Sequence, residues 1–393
     1  MADTLTPVAR TATRLPLLDL LRGAAILGTL MTNVWIFTSP GSEWGVLQGS
    51  LAAPDVLSGP SPARLAETVF RFLADGKFLA LLTVLFGVGL AIQYDSAARR
   101  GSPWPGRYPR RAAFLFLEGT VHFVLVFAWD VLMGYAVTAL LVAWLLARSA
   151  RVRQVAMWTA GGLHLALIGL LTLGSAGRPD SPPRAPGPAA VELYARGSWA
   201  EQISFRLENA AVLRIEPVLS FGLLVFLFLL GVRLYRAGAF TDGAGGRRIR
   251  ARLAAWGLGL GLPLNAATTL GGEDFYLLGR YGAAPLFALG YLGLLGIALD
   301  RRWLPGFATA ALGSVGRTAL SCYVAQNLVC VLLCYGFGLG LAARFAGDGP
   351  WWVMGLWAGV GVVLAAGSWL WLRRFGRGPL EALQHAVLSP RRR

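Results

Sequence analysis

The sequence predicts an all-α integral membrane protein, a polytopic helical bundle of about ten transmembrane helices. Apolar residues make up 55% of its 393 residues, and the mean hydropathy is +0.57. Only 14% of the residues are charged, against roughly 25% in a soluble domain. Apolar runs of about 20 residues recur, and such a run can cross a hydrocarbon core of about 30 Å. These observations exclude a water-soluble globule, a disordered chain, a fibrous repeat and a disulfide scaffold.

Ten segments are long and apolar enough to be spans. The third and fourth are joined tightly at Asp130, which predicts a helical hairpin. The segment 64–75 has apolar residues at helical spacing but is too short and too charged to cross, so we expect it on the membrane surface. The predicted spans are residues 17–37, 77–95, 112–129, 131–147, 154–174, 217–235, 253–271, 281–299, 318–340 and 352–372.

The charges predict the orientation of these spans. Between the spans, 25 basic residues fall on the side of the termini and 10 on the other, which gives net charges of +20 and −3. The positive-inside rule therefore places both termini in the cytoplasm. Because this rule accounts for the overall charge of +16, no nucleic-acid partner is expected.

The chain is thus predicted to form a single membrane domain, 1–393. It has a long extracytoplasmic loop at 175–216 and a basic cytoplasmic tail at 373–393. All basic residues except Lys77 are arginines, a bias typical of GC-rich bacterial genomes. The predicted location is the bacterial cytoplasmic membrane, with the lipid bilayer as its partner.

The first span carries two charges, and ionisable groups inside a membrane indicate function by default. Asp19 and Arg22 are three residues apart on one helix and can form an ion pair. Asn33 lies eleven residues beyond Arg22, on the same face and about 16 Å along the axis. This polar stripe is either structural or binds a substrate or donor.

Glu118 and His122 stand four residues apart in the third span, on one helical face. A carboxylate can fix the tautomer of an imidazole and raise its basicity. The pair therefore fits a general base with its orienting group, a proton relay, or a structural polar pair.

Three further polar residues lie at the ends of spans. Asp130 either caps the fourth helix or lines a binding site with Tyr135, and Lys77 lies beside Asp75 near the outer interface. We consider all three candidates for substrate binding.

No metal site or bound cofactor is predicted. Cys322, Cys330 and Cys334 share one apolar span with no histidine nearby. His164 is isolated in the fifth span, and His385 lies in the tail. The sequence has no Walker A loop, no dinucleotide fingerprint after a strand and no HExxH motif.

Ordered motifs along nearly the whole chain resemble the YeiB-like family, domain of unknown function 418. They are LDLLRGAAILGTLMTN (18–33), DGKFLALLTVLFGVGLAIQ (75–93), GTVHFVLVFAWDVLMGYA (119–136), GRTALSCYVAQNLVCVLLCYGFGLGL (316–341) and RFGRGPLEALQH (374–385).

More distantly, the LRG start of the first span resembles membrane acyltransferases, which include sugar O-acetyltransferases and glucosaminide N-acetyltransferases. The O-acetyltransferases carry a histidine where this chain has Asn33. The N-acetyltransferases carry a histidine in the loop after the first span. In this chain that loop, residues 38–63, contains no histidine. The resemblance therefore leaves His122, supported by Glu118, as the candidate base.

The leading hypothesis is an acyltransferase that moves an acyl group, with acyl-CoA as donor, onto an envelope sugar, a lipid or a small metabolite. In it Arg22 binds donor phosphates, and Asn33 and Asp130 line the acceptor path. A proton-coupled transporter or exporter using the Glu118/His122 pair is the alternative, and a structural or sensory protein the third.

Overall fold

The computed structural model describes residues 15–52, 54, 59, 61–176 and 187–388, and all regular structure within these ranges is helical. Arg10 and Arg14, the residues 177–186 of the long loop and the end of the basic tail lie outside the described residues.

The described chain is a succession of helices joined by short turns. The principal helices are α1 (Pro16–Thr38), α2 (Pro62–Ala74), α3 (Lys77–Arg99), α4 (Tyr108–Leu125), α5 (Leu132–Leu146), α6 (Ala150–Ala176), α7 (Pro188–Arg196), α8 (Trp199–Glu208), α9 (Phe221–Arg236), α10 (Ala244–Trp256), α11 (Leu262–Leu270), α12 (Ala284–Asp300), α13 (Gly306–Arg317), α14 (Ala319–Cys334), α15 (Pro350–Arg374) and α16 (Pro379–Leu388).

Helix α1 forms the centre of the bundle. It packs against α3, α12, α13, α14 and α15. About 67% of its apolar stretch is buried, compared with 28% for α6 and 22% for α15. The apolar faces of α6 and α15 therefore point away from the protein, as expected of helices that contact lipid.

Glycines allow α1 and α13 to cross at very short distance. A β-carbon at Gly23 would lie 2.0 Å from the carbonyl oxygen of Leu312, and one at Gly316 would lie 1.8 Å from that of Asp19. Any larger residue at either position would push the backbones apart. Such small-residue contacts are typical of membrane helix pairs.

Five helices in the described part of the chain are long and apolar enough to cross a membrane, and six if one bent pair counts as a single span. This is fewer than the ten predicted. The predicted spans 131–147 and 217–235 form helices of 15 and 16 residues, below the length of about 20 that a straight crossing needs. The predicted span 253–271 is interrupted by a π-helical turn at Gly257–Gly261.

The bent pair is α13 and α14, which meet at an angle of 90° at Thr318. The C-terminal helix α16 stabilises this bend. Its Glu381 carboxylate accepts hydrogen bonds from the backbone N–H groups of Leu320 and Ser321, at 2.8 and 3.3 Å, and from the Ser321 hydroxyl. These contacts satisfy N–H groups that the start of α14 leaves without a helical partner.

The predicted hairpin around Asp130 is present, since α4 and α5 pack against each other. The predicted surface segment 64–75 corresponds to α2. Leu65, Val69 and Leu73 lie exposed on one side of it. On its other side, Arg71 donates to the carbonyl oxygen of Ser50 at 3.0 Å.

A fully buried ion pair anchors the segment between α6 and α9 to the rest of the protein. Arg206 on α8 donates to both carboxylate oxygens of Glu43, at 2.9 and 3.0 Å. The hydroxyls of Tyr194 and Tyr335 also donate to Glu43, at 3.2 and 3.3 Å. Burial alone lowers the pKa of Arg206, but Glu43 reverses this effect and holds the pKa above its ordinary value.

We expect Arg206→Met to destabilise the protein by about 3–5 kcal/mol, because Glu43 would remain buried without its cation. The measurement is the midpoint of thermal unfolding in detergent. Arg196→Met is the matched control, since its ion pair with Glu192 is largely exposed. Equal midpoints for the two variants would contradict a stabilising role for the buried pair.

Candidate functional site

His122 lies in the last turn of α4 and is held on both ring nitrogens. Its Nδ1 is 3.0 Å from Oδ1 of Asp130, and its Nε2 is 3.3 Å from the side-chain nitrogen of Asn327 on α14. The side chains of His122 and Asp130 are almost completely buried. The ring is therefore fixed between two partners from different parts of the chain.

Asp130 is the acceptor for four hydrogen bonds. Oδ2 accepts from the backbone N–H groups of Leu132 and Met133, at 2.9 and 3.2 Å, at the start of α5. Oδ1 accepts from His122 and, at 3.3 Å, from the Tyr323 hydroxyl. The positive end of the α5 dipole also favours a negative charge here. Asp130 thus both caps α5, as the sequence suggested, and positions the imidazole.

Gly119 allows α4 to approach this carboxylate. A β-carbon at Gly119 would lie 2.7 Å from Oδ2 of Asp130 and 2.7 Å from the backbone nitrogen of Met133. A larger residue would therefore displace the carboxylate from the start of α5 and from His122.

The network assigns the tautomer of His122. Asp130 acts as acceptor toward the ring, so Nδ1 carries the proton. Nε2 then presents a lone pair, which accepts from the amide N–H of Asn327. An imidazole in this state can take a proton at Nε2 while the carboxylate stabilises the resulting cation.

Polar residues continue from His122 to α1. Asn33 donates to the side-chain oxygen of Asn327 at 3.3 Å, and Gln326 donates to the Thr29 hydroxyl at 3.5 Å. Gln326 and Asn327 are completely buried. Of the predicted polar stripe of α1, Asn33 is therefore linked to the histidine through Asn327 on α14.

A cavity of about 250 Å³, the Arg22 cavity, lies on one side of this network. Three arginines, several uncharged polar side chains, one carboxylate and several apolar side chains line it. Arg22 and Arg111 both line this cavity, so a bound anion would lower the repulsion between their like charges. Its lining includes Arg22, Ile26, Leu85, Gln93, Arg111, Leu115, Arg317, Leu320, Tyr323, Glu381 and Gln384.

A smaller cavity of about 40 Å³, the Asn33 cavity, lies farther along α1. Arg280 reaches it from a π-helical turn, Gly279–Ala283, and forms ion pairs with Glu216 and Asp75. Polar groups of several types converge on this cavity. Its lining includes Thr29, Thr32, Asn33, Trp129, Glu216, Arg280 and Tyr323.

The structure does not pair Glu118 with His122, although the spacing predicted it. Both carboxylate oxygens of Glu118 are buried and make no hydrogen bond to any described residue. Asp130 occupies the orienting position instead. The predicted pair of Asp19 and Arg22 is present, with 3.8 Å between Nη1 and Oδ1.

Two candidate residues lie away from the network. The Tyr135 hydroxyl is 2.6 Å from that of Thr83, inside the packed core. Lys77 is buried against the rings of Phe72 and Phe287 and lines neither cavity.

Sequence reasoning missed Tyr323, Gln326 and Asn327. The signal was present, because two amide side chains stand together in an otherwise apolar span. Amide side chains carry no charge, so they give a weaker signal inside a span than the ionisable groups do. No described group of three or more His, Cys, Asp or Glu side chains could hold a metal ion.

Comparison with known proteins identifies relatives over nearly the whole chain. It is 26% identical to "Uncharacterized protein YxaH" of Bacillus subtilis over 389 residues, covering 94% of this chain and 93% of the relative. It is 28% identical to "Uncharacterized protein YeiB" of Escherichia coli over 389 residues, covering 93% of this chain and 94% of the relative.

Residues 234–390 match the family described as "Protein of unknown function (DUF418)". This match begins near the end of α9 and contains Tyr323, Asn327 and Glu381. Together with the two relatives, this match confirms the resemblance seen in the motifs. The chain carries a DUF418 domain and is a distant homologue of YeiB and YxaH over nearly its full length.

Proposed function

We propose that this protein is a membrane acyltransferase that uses His122 as a general base. The observation that carries the proposal is the buried arrangement Asp130–His122–Asn327, which contacts Tyr323, a residue that lines both cavities. A histidine held by a carboxylate on one nitrogen, with a lone pair on the other, is the arrangement that activates hydroxyl nucleophiles in acyl transfer.

The Arg22 cavity fits the donor. Acyl-CoA carries anionic phosphates at one end and its thioester at the end of a long arm. Arg22 and Arg111 supply paired cations for phosphates, and the apolar lining beyond them accommodates the arm. The thioester would then approach Tyr323 and the histidine.

The Asn33 cavity fits the acceptor, an envelope sugar, a lipid or a small metabolite. Its hydroxyl replaces the amide of Asn327 at Nε2 of His122 and gives its proton to that nitrogen. The hydroxyl oxygen attacks the thioester carbonyl, and the carbon–sulfur bond breaks. The leaving thiolate takes the proton from the imidazolium, which Asp130 has stabilised meanwhile.

A proton-coupled transporter or exporter is the second candidate, and one observation favours it. Glu118 is a buried carboxylate without a hydrogen bond to the described residues, one helical turn from His122. Unpaired carboxylates within membranes commonly bind and release protons during transport.

For the orientation, we propose ten crossings with both termini in the cytoplasm of a bacterium. The charge asymmetry supports this proposal. So does the position of α16, because its Glu381 and Gln384 line the same cavity as Arg22 near the start of α1. An even number of crossings brings the two ends of a chain to one side.

Reporter fusions test the orientation. A fluorescent protein joined after Leu388 is expected to be bright and alkaline phosphatase there inactive, because both would lie in the cytoplasm. Fusions truncated at Gly197, between α7 and α8, are expected to give the reverse. The same reporter active at both points would contradict ten crossings.

His122→Gln and Asp130→Asn are each expected to lower acyl transfer by about 10²-fold or more, the usual contribution of a general base. The measurement is transfer of label from acetyl-CoA to membrane extracts of a strain lacking the gene, in detergent, where no gradient exists. His164→Gln is the matched control, because His164 lines neither cavity and its Nε2 lies 3.2 Å from the backbone carbonyl oxygen of Tyr281, away from Asp130 and Asn327.

Loss of uptake driven by a proton gradient in vesicles, with no detectable transfer in detergent, would favour the transporter. Unchanged transfer and uptake in folded His122→Gln protein would contradict both functions for this histidine.

A further inference from the structure

We propose that the side chain of Tyr323 is the partition between the Arg22 cavity and the Asn33 cavity, and that its movement joins them into one passage. Among the residues that line these two cavities, Tyr323 alone is shared. The two cavities could join whether or not the protein catalyses acyl transfer. That an acyl group uses the resulting passage rests on the function proposed above.

The cavities lie at different depths along the bundle. The first contacts α1 at Arg22 and Ile26, and the second contacts it from Thr29 to Ile36. From Arg22 to Ile36 the helix rises about 21 Å. Helix α3 runs in the opposite direction and shows the reverse order, with Gln93 at the first cavity and Leu79 at the second. Tyr323 therefore lies where two cavities at different levels of the membrane domain meet.

The hydroxyl of Tyr323 is held by two weak contacts. It donates to Oδ1 of Asp130 at 3.3 Å and accepts from the backbone N–H of Val131 at 3.3 Å. Both distances are longer than the usual 2.7–2.8 Å of a hydroxyl bond or the 2.9–3.0 Å of an amide bond. The ring packs edge-on against His122, with 5.3 Å between centroids.

Tyr323 also has room to move. His122 and Asn327 line neither cavity, whereas the tyrosine has empty space on two sides. Rotation of its side chain breaks two long hydrogen bonds and leaves the three other hydrogen bonds of Asp130 in place. The opened passage leads past His122, so a group entering from the Arg22 cavity reaches the Asn33 cavity beside the candidate base.

Cysteine labelling in membrane vesicles tests this without an activity assay. Thr32→Cys places a reporter in the Asn33 cavity, in a background where Cys322, Cys330 and Cys334 are replaced by Ser or Ala. The probe is a permanently charged methanethiosulfonate reagent, applied separately to right-side-out and inverted vesicles. With Tyr323 present, we expect labelling from one face only.

Tyr323→Ala is expected to make the reporter react from both faces, because the partition is gone. Tyr323→Phe keeps the ring but loses both hydrogen bonds, so labelling from the second face is expected to rise about tenfold. Leu328→Ala is the matched control on α14, since Leu328 is exposed on the outer surface of the bundle. It is expected to leave one-sided labelling unchanged.

One-sided labelling in folded Tyr323→Ala protein would overturn the proposal. So would labelling from both faces while Tyr323 is intact. Two-sided labelling in Tyr323→Ala without any measurable acyl transfer in the parent protein would support the passage and contradict the proposed enzyme, so the two failures are distinguishable.

Discussion

The site depends on one buried carboxylate. Asp130 accepts hydrogen bonds from His122 on α4, from two backbone N–H groups of α5 and from Tyr323 on α14. Burying a charge without such partners would cost several kcal/mol. Because the partners come from three helices, the carboxylate is satisfied only in the assembled bundle. The position of the imidazole and the tautomer it adopts therefore follow from the packing of these helices.

Helix α1 connects this carboxylate to both cavities. Its small residues let α13 pack closely at one end, and its polar residues face α14 farther along. A polar face in the centre of an apolar bundle is stable only when each group has a partner, and Thr29 and Asn33 find theirs in Gln326 and Asn327. The large positive charge of the chain is irrelevant to this site, where only a few ionisable groups remain.

The sequence predicted what local spacing determines. The first span, the Asp19–Arg22 pair and the hairpin at Asp130 all follow from residues close in the chain. The partner of His122 could not be predicted in this way. Glu118 has the right helical spacing, whereas Asp130 reaches the ring only because α4 ends at Leu125 and the chain turns back. The bend at Thr318 depends on Glu381, about 60 residues later, and no local pattern encodes it.

The two proposed functions give Glu118 different roles, because they differ in whether a proton crosses the membrane. In acyl transfer the proton taken by His122 returns to the leaving thiolate, so no proton crosses the membrane and Glu118 has no chemical task. In transport the proton must travel between the two sides, and a carboxylate one turn from the histidine would serve as the next site. Both oxygens of Glu118 lack a partner among the described residues. A buried carboxylate without partners is costly to keep charged, so Glu118 can take part in a relay only if its charged form becomes solvated during the cycle.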